Sequence, residues 1–243
     1  MRAPLSNVLA VACAALAWAG CSSSSSPAAP GDGGPADAGV DAPLNCPPVD
    51  LGAWQPPAYH HAEPPAPNAC ATALIDDYYA SCLGPNASQS ACDQSWNAST
   101  QDTAHLVCQT CLVTLSSAAA WGPLVSYGST GGDGGSGAAV VSLNVAGCIE
   151  LLDPGQLSCA TQVQDVDECE HQACDAACPV TSDATFGYWK ACTTAAGRGE
   201  CSSYVSGASC QSAFVDAGAA APCVSGATFQ DAFIAIATVF CGH

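Results

Sequence analysis

The first chemical candidate in this sequence is a pair of cysteines, Cys108 and Cys111, separated by two residues. This spacing is that of a redox-active dithiol, and His105, one helical turn earlier, could lower the pKa of a nearby thiol. The motif falls inside a predicted helix, however, whereas a helix N-terminus is the place where a thiolate is stabilised. A structural role in disulfides is therefore the favoured interpretation. An envelope thiol-disulfide oxidoreductase that uses this pair is the alternative.

The second candidate is a row of polar residues, Asp167, His171 and Asp175, which stand four apart and share one face of a predicted helix. Together with Glu168 and Glu170 they are weak candidates for a divalent-cation site, since calcium prefers oxygen ligands such as carboxylates. A solvated acidic face is the favoured interpretation. We therefore predict no metal and no other cofactor.

Other metal-binding residues and the familiar catalytic motifs give weaker signals. His60, His61 and Glu63 carry metal-binding atoms, but they lie on a proline-rich segment that is predicted to be too mobile for a closed site. The sequence contains no G-x-S-x-G, H-E-x-x-H or EF-hand motif. A Ser-His-Asp triad dispersed along the chain leaves no sequence signal, so no catalytic residue is predicted and the sequence favours a role other than catalysis.

Short helices are predicted to carry most of the cysteines, because apolar residues and cysteines recur at three- and four-residue steps. The stretch from Cys159 to Cys178, for example, predicts one helix that stops before Pro179. The other predicted helices cover residues 72–83, 92–96, 99–115, 145–152, 183–197, 199–214 and 229–241. Five of them have a predicted N-cap. In chain order these caps are Thr72, Ser99 with Asp102, Asn144, one of Thr181, Ser182 and Asp183, and Thr228 with Asp231.

One small β-hairpin interrupts the helices. Its predicted strands are Trp121 to Tyr127 and Ala138 to Leu143, and the glycine-rich loop 128–137 joins them. The fold class is therefore mainly α: a disulfide-rich helical domain with one small β-hairpin, preceded by a disordered tether.

The N-terminus has the features of an export signal. Arg2 is followed by an apolar run over residues 8–18, which is too short to span a bilayer. Residues 1–20 are therefore predicted to be a signal peptide that is removed from the mature protein.

Two cleavage sites compete at the end of this signal. Residues 19–21, Ala-Gly-Cys, resemble a bacterial lipobox, whereas residues 17–19, Ala-Trp-Ala, fit ordinary cleavage. Cysteine arithmetic favours a lipid on Cys21, because the loss of Cys13 and lipidation of Cys21 leave sixteen of eighteen cysteines, which can all pair. By analogy with lipoproteins, Ser22 in place of an aspartate indicates the outer membrane.

The mature chain divides into a tether and a domain. Residues 21–67 are rich in Ser, Pro, Gly and Ala and are predicted to form the tether, and residues 68–243 form the helical domain, with a division into two subdomains near 154–158 left open. Cys46 interrupts the tether. Since a cysteine in an oxidising compartment usually has a partner, the chain after Cys46, including Trp54 and Tyr59, is expected to be held against the domain.

The domain is poor in the residues that build a core. From Cys70 to His243, 32 of 174 residues are Leu, Ile, Val or Phe, a fraction below the roughly 20% under which ordinary chains fail to bury a core. Disulfides, at roughly 2–4 kcal/mol each, are expected to supply the missing stability. The sixteen candidates are Cys46, Cys70, Cys82, Cys92, Cys108, Cys111, Cys148, Cys159, Cys169, Cys174, Cys178, Cys192, Cys201, Cys210, Cys223 and Cys241.

The charge balance is strongly acidic. After removal of Arg2, the basic residues Lys190 and Arg198 face 21 Asp and Glu residues. Such a surface repels phosphate backbones, so nucleic acid is excluded as a partner. Solubility is the favoured reason for the acidity, with attraction to a basic partner as the alternative.

Four runs of the chain resemble those of cysteine-rich lipoproteins of myxobacterial type: Leu83 to Ser88, Trp121 to Val125, Ser142 to Ile149 and Ala173 to Thr181. The likeness covers most of residues 70–210. It implies an envelope location and a helical, disulfide-rich fold. No activity is assigned to that group, so the resemblance carries over no functional residue.

Taken together, the sequence predicts an exported lipoprotein of the bacterial cell envelope, attached to the outer membrane through Cys21 and either periplasmic or surface-exposed. Its predicted role is that of a structural or interaction module with a protein or polysaccharide ligand. Trp121, Tyr127, Trp189 and Tyr204 are candidate ligand contacts, although burial in the core is the favoured interpretation for each.

Overall fold

The computed structural model describes residues 46–96, 102–127, 140–180, 183–214 and 218–242, and helices form most of these residues. The α-helices are α1 (Thr72–Tyr78), α2 (Gln89–Trp96), α3 (Thr103–Leu112), α4 (Val145–Leu152), α5 (Leu157–Cys174), α6 (Asp183–Arg198), α7 (Ser202–Gly207), α8 (Ala221–Val224) and α9 (Phe229–Cys241). A π-helical turn, Tyr79–Leu83, continues α1, and 3₁₀ turns occupy Pro154–Gln156 and Ala208–Ala213. The predicted fold class, mainly α with a small β element, is confirmed.

Several predictions fall on residues outside these ranges. They concern the signal peptide, the lipidation site Cys21, the tether before residue 46, the caps Ser99, Thr181 and Ser182, and the loop 128–137.

The strands are short and form two small sheets. They are β1 (His61–Ala62), β2 (Val113–Leu115), β3 (Ala120–Trp121), β4 (Leu124–Tyr127) and β5 (Val140–Leu143). Strands β4 and β5 pair antiparallel, with Leu124 opposite Leu143 and Tyr127 opposite Val140, which confirms the predicted hairpin. The sheet is larger than predicted, because β2 adds to β4 in parallel, and β1 and β3 form a second parallel pair.

Two predicted helix caps are confirmed. The Asn144 side chain accepts a hydrogen bond of 2.7 Å from the Gly147 N–H at the start of α4. Thr228 and Asp231 form a complete capping box at the start of α9, in which each side chain accepts from the backbone N–H of the other. Both caps act within four residues, which is why local sequence was enough to find them.

Three predicted helix boundaries are wrong. Thr72 is the first residue of α1 rather than its cap, and Ala71 holds the N-cap position without a side-chain bond. Asp102 caps α3 directly, and that helix ends at Leu112, so Leu115 lies on β2. Helix α5 ends at Cys174.

The cysteines of the described chain are joined in eight disulfides whose Cα atoms lie between 4.6 and 6.0 Å apart, the ordinary range. The pairs are Cys46–Cys178, Cys70–Cys108, Cys82–Cys92, Cys111–Cys241, Cys148–Cys223, Cys159–Cys210, Cys169–Cys201 and Cys174–Cys192. Most pairs join different helices, so the cross-links fix how the helices pack.

Apolar residues gather in two main cores that share α5. The first core lies between α1, α3, α4, α9 and the start of α5, and contains Ile75, Leu112, Ile149 and Phe233. The second core lies between the end of α5 and α6 and is centred on Trp189. Helix α5 therefore contributes to both cores.

Residues 46–67, which we call the strap, cross the surface of both cores. The Val49 N–H donates to Ala173 O at 2.9 Å, and the Ala66 N–H donates to Phe240 O at 2.8 Å. Trp54 contacts Tyr204 edge to face. The prediction that the chain after Cys46 is held against the domain is therefore confirmed.

The carboxylate of Glu150, on α4, binds the strap. It accepts hydrogen bonds from the Tyr59 hydroxyl at 3.1 Å, from His61 Nδ1 at 2.6 Å and from the Ala62 N–H at 2.8 Å. Burial by itself raises the pKa of Glu150, but these bonds outweigh it and hold the pKa below its ordinary value.

Candidate functional site

A buried polar network lies where the second half of α5 meets strands β4 and β5. Cys169, Ala173 and Cys174 turn inward on α5 and anchor it in the second core. The same helix brings His171 against the sheet, where it is 4% exposed. A buried histidine needs partners for both ring nitrogens, and it finds them on β5, on α5 itself and at the C-cap of α5.

His171 is held between an aromatic ring and two carboxylates. Its imidazole stacks on the Tyr127 ring, with centroids 3.5 Å apart and planes 13° apart. Its Nδ1 lies 3.0 Å from Oδ2 of Asp175. Its Nε2 lies 3.3 Å from the Ser142 hydroxyl and 3.9 Å from Oδ1 of Asp167.

Each carboxylate is fixed by a further donor. Asp167 accepts hydrogen bonds of 2.8 Å from the Tyr127 hydroxyl and from the Ser142 hydroxyl. Asp175 accepts a bond of 2.8 Å from the indole N–H of Trp189. The network therefore joins β4, β5, α5 and α6 through one histidine.

This network holds protons tightly. Burial alone lowers the pKa of His171, but the hydrogen bond to Asp175 and the charges of Asp167, Asp175 and Glu168 outweigh it and raise the pKa above its ordinary value. Burial, with the charge of Asp167, raises the pKa of Glu168 to about 7. Burial and the neighbouring carboxylates also raise the pKa of Tyr127 well above its ordinary value. Asp167 and Asp175 therefore stabilise the imidazolium form of His171 relative to the neutral ring.

A cleft of about 210 Å³ opens beside the network. Its lining consists of Tyr127, Glu168, His171, Gln172, Asp175 and Ala176. It combines carboxylates, an amide and the edge of a buried aromatic stack. One of its carboxyls, that of Glu168, has a pKa shifted toward neutrality, which is typical of a functional site. This cleft is the candidate functional site.

Ser142, His171 and Asp175 have the composition and order of contacts of a Ser-His-Asp triad, but the details do not favour catalysis. Ser142 is 3% exposed and does not line the cleft. Its hydroxyl donates to Asp167 rather than being left free to attack a substrate. A nucleophile must reach a substrate carbon, so this arrangement suits storage of a proton and not acyl transfer.

The weak metal candidates Asp167, His171 and Asp175 do meet, but not around a common point. The two aspartates approach opposite nitrogens of the imidazole ring, so the ring separates their oxygens. In the ranges that the structure describes, no group of three His, Cys, Asp or Glu residues can hold a metal ion. The geometry favours a histidine clamp over a cation site.

His60 and His61 both make contacts with the domain, which the prediction of a mobile segment did not include. The His60 ring stacks on Trp121, with centroids 4.4 Å apart, and its Nδ1 lies 2.9 Å from Ala118 O. His61 is bound to Glu150. Sequence reasoning missed these contacts because the partners lie 58 or more residues away along the chain.

Cys108 and Cys111 are brought close but not into one bond. Cys108 pairs with Cys70, and Cys111 pairs with Cys241. These cross-links tie α3 to the start of α1 and to the end of α9. The arrangement gives the oxidoreductase alternative no support.

The four aromatic residues considered for ligand contact lie mainly in the interior. Trp121, Tyr127 and Trp189 are 1%, 8% and 4% exposed. Tyr204 packs against Trp54 of the strap. Burial in the core, the favoured interpretation, holds for Trp121, Tyr127 and Trp189, whereas Tyr204 is half-buried. The polar residues of the cleft are the better candidates for ligand contact.

Comparison of the chain with protein-family models, with curated proteins and with solved structures finds no match. No helix of the described ranges combines the length and apolar character needed to cross a bilayer.

Proposed function

We propose that this protein is an exported lipoprotein of the bacterial cell envelope, anchored to the outer membrane through a lipid on Cys21, whose domain is an interaction module. The observation that carries the proposal is the complete pairing of sixteen cysteines in eight disulfides. Such a set persists in oxidising compartments and not in a reducing cytoplasm. The apolar N-terminal run and the lipobox-like residues 19–21 supply a route to such a compartment.

The cleft is the surface on which we expect the module to engage a partner. Glu168 and Asp175 give it negative charge, and the whole chain has a formal charge of −18. Such a site favours positive groups, so the expected partner is a basic protein segment or a polysaccharide that carries amino groups. Because part of the Glu168 carboxyl is protonated at neutral pH, its affinity for cations should rise as the pH rises through about 7.

Lipid anchorage is tested by labelling cells with a palmitate analogue. Wild-type protein should incorporate the label and sediment with the outer membrane. Cys21→Ser should lose the label and leave the membrane fraction, whereas Cys13→Ser, inside the predicted signal, should behave as wild type. An unlabelled wild-type protein would refute the anchor, and retention of label by Cys21→Ser would place the lipid elsewhere.

Binding at the cleft is tested with the mature protein on immobilised oligo-lysine and on a chitosan matrix at about physiological salt, where weak long-range attraction is screened. Glu168→Gln with Gln172→Ala should weaken retention on at least one matrix. Glu200→Gln, an exposed carboxylate outside the cleft, removes the same charge and serves as the control. Equal weakening by both variants would reduce the interaction to general charge and contradict a role for the cleft.

A further inference from the structure

The point where the tether joins the domain is covalently closed. Cys46 forms a disulfide with Cys178, and their Cα atoms lie 5.6 Å apart. Cys178 is buried, 3% exposed, and stands three residues after Asp175 of the cleft. The N-terminal end of the strap is therefore fastened next to the candidate site.

From Cys46 to the next cross-linked residue, Cys70, the strap is held by non-covalent contacts. They include the Val49 bond to Ala173, the three bonds to Glu150 and the Ala66 bond to Phe240. Each such hydrogen bond is weak by itself, because folding exchanges it for a bond to water. Without the disulfide, a force applied at the N-terminal end of the strap would break these contacts one after another.

The disulfide changes this order of loading. A pull that arrives at Cys46 from residue 45 passes through the bond to Cys178 and into the turn after α5. The strap then lies in a closed covalent loop between Cys46 and Cys178, parallel to the path of the force. Its weak contacts carry little of the load.

We propose that Cys46–Cys178 is the junction through which tension on the tether enters the domain, bypassing the strap and reaching the chain next to the cleft. This inference rests on the proposed anchorage of the chain through Cys21. A partner in the cleft is then linked to the membrane through Asp175, Cys178 and Cys46. The strap and its seat on Glu150 stay closed while the tether is stretched.

The test is single-molecule pulling of the mature, oxidised protein with handles at its N- and C-termini. Wild type should show no release of the strap at low force. Cys46→Ala with Cys178→Ala should show a low-force step that releases up to about 80 Å of chain, the stretch from residue 46 to residue 70 at roughly 3.4 Å per residue. Extension should then stop, because Cys70–Cys108 and Cys111–Cys241 connect that point to the C-terminus.

The matched control is Cys82→Ala with Cys92→Ala, which removes one disulfide without touching the path of the force. It should pull like wild type. A strap-length step in wild type, or none in the Cys46/Cys178 variant, would overturn the inference. Recombinant protein without lipid is used, so failure of the lipid labelling leaves this result intact.

If the Cys46/Cys178 variant does not fold, as judged by circular dichroism, a second variant decides. A protease site is inserted into the wild-type strap at Pro56–Pro57, next to exposed residues, and cut before pulling. The cut protein should still bear load through Cys46–Cys178. Detachment of the tether under load would refute the proposed path.

Discussion

Glu170 offers the sharpest test of how pH controls this fold. It lies on α5 with its carboxylate against the end of α6, where Oε1 would come within 3.2 Å of a Cβ placed on Gly197. Burial, with an addition from the charge of Asp167, raises the pKa of Glu170 to about 8. The folded chain therefore keeps a proton there that the unfolded chain has already released.

The size of the effect follows from linkage. Raising the pKa from 4.5 to about 8 lowers the free energy of unfolding as the pH rises through that window. At about 1.4 kcal/mol for each pH unit, the loss reaches about 4 kcal/mol at pH 9, once the residual exposure of the carboxylate is allowed for. At pH 5 it is below about 1 kcal/mol. Glutamine has the shape of the protonated acid and no charge, so Glu170→Gln should recover the lost stability at high pH only.

The neighbouring groups act in the same direction. The raised pKa of Glu168 and the raised pKa of His171 both mean that the folded state binds protons more tightly than the unfolded chain. Wild-type stability should therefore fall from about pH 4.5 to above pH 8, and Glu170→Gln should flatten only part of this slope.

Guanidinium denaturation at pH 5 and pH 9, followed by tryptophan fluorescence with the disulfides intact, measures the difference. The control is Glu200→Gln, since Glu200 is exposed on the turn after α6. A gain for Glu170→Gln of equal size at both pH values, or a loss at pH 9, would refute the reasoning.

Three further outcomes are expected. Excess reductant should abolish the cooperative unfolding transition seen by near-ultraviolet circular dichroism, because the cross-links replace apolar burial; a reduced protein that keeps this transition would contradict that view. Asn144→Ala should lower stability by roughly 2–4 kcal/mol, measured by denaturation, since its buried side chain caps α4 and donates to the carbonyls of Trp121 and Gly122; a loss below about 0.5 kcal/mol would show that water replaces these bonds. Glu150→Gln should speed hydrogen exchange at the Ala62 amide, which donates to the Glu150 carboxylate. Because the pKa of Glu150 is lowered in the fold, the wild-type protection of this amide should be lost as the pH falls below about 4.5. Unchanged exchange would mean that Glu150 does not hold the strap.

The parts of the fold that sequence predicted are those governed by local interactions. Helix α9 combines a capping box with apolar residues at three- and four-residue steps, Phe229, Phe233, Ile236 and Phe240, and both features lie within its own thirteen residues. The hairpin of β4 and β5 follows from alternating runs that flank a glycine-rich stretch. Neighbouring residues decide such elements, so one sequence suffices.

The parts that were missed depend on partners far along the chain. Leu115 continues the helical pattern of α3, but pairing of β2 with β4 converts it to strand. The strap has the composition of a linker, yet backbone bonds to Ala173 and Phe240 and the seat on Glu150 hold it in place. The composition of a segment shows that it has few core-forming residues, but it does not show which distant surface of the domain the segment binds.

The candidate site was half predictable. The four-residue spacing placed Asp167, His171 and Asp175 on one helix face, as the structure has them. The sequence did not show that this face is covered, because the covering residues Tyr127 and Ser142 lie 40 and 25 residues from Asp167 along the chain. A face that spacing alone describes as solvated thus becomes a proton-holding network.

The composition of the second core explains why the cleft and the tether junction belong together. Five of its eleven fully buried residues are cysteines, and the aliphatic members larger than alanine are Val140 and Val180. The first core, in contrast, contains Ile, Leu and Phe from four α-helices, α1, α3, α4 and α9. Phe186 and Trp189 are its two large apolar side chains, so the second core depends also on Cys46–Cys178, Cys169–Cys201, Cys174–Cys192 and the His171 network. Reduction and high pH remove these two supports while leaving apolar burial intact, so they should open this half of the domain first. The candidate binding surface is therefore stable only where thiols are oxidised, which is where the tether would hold it.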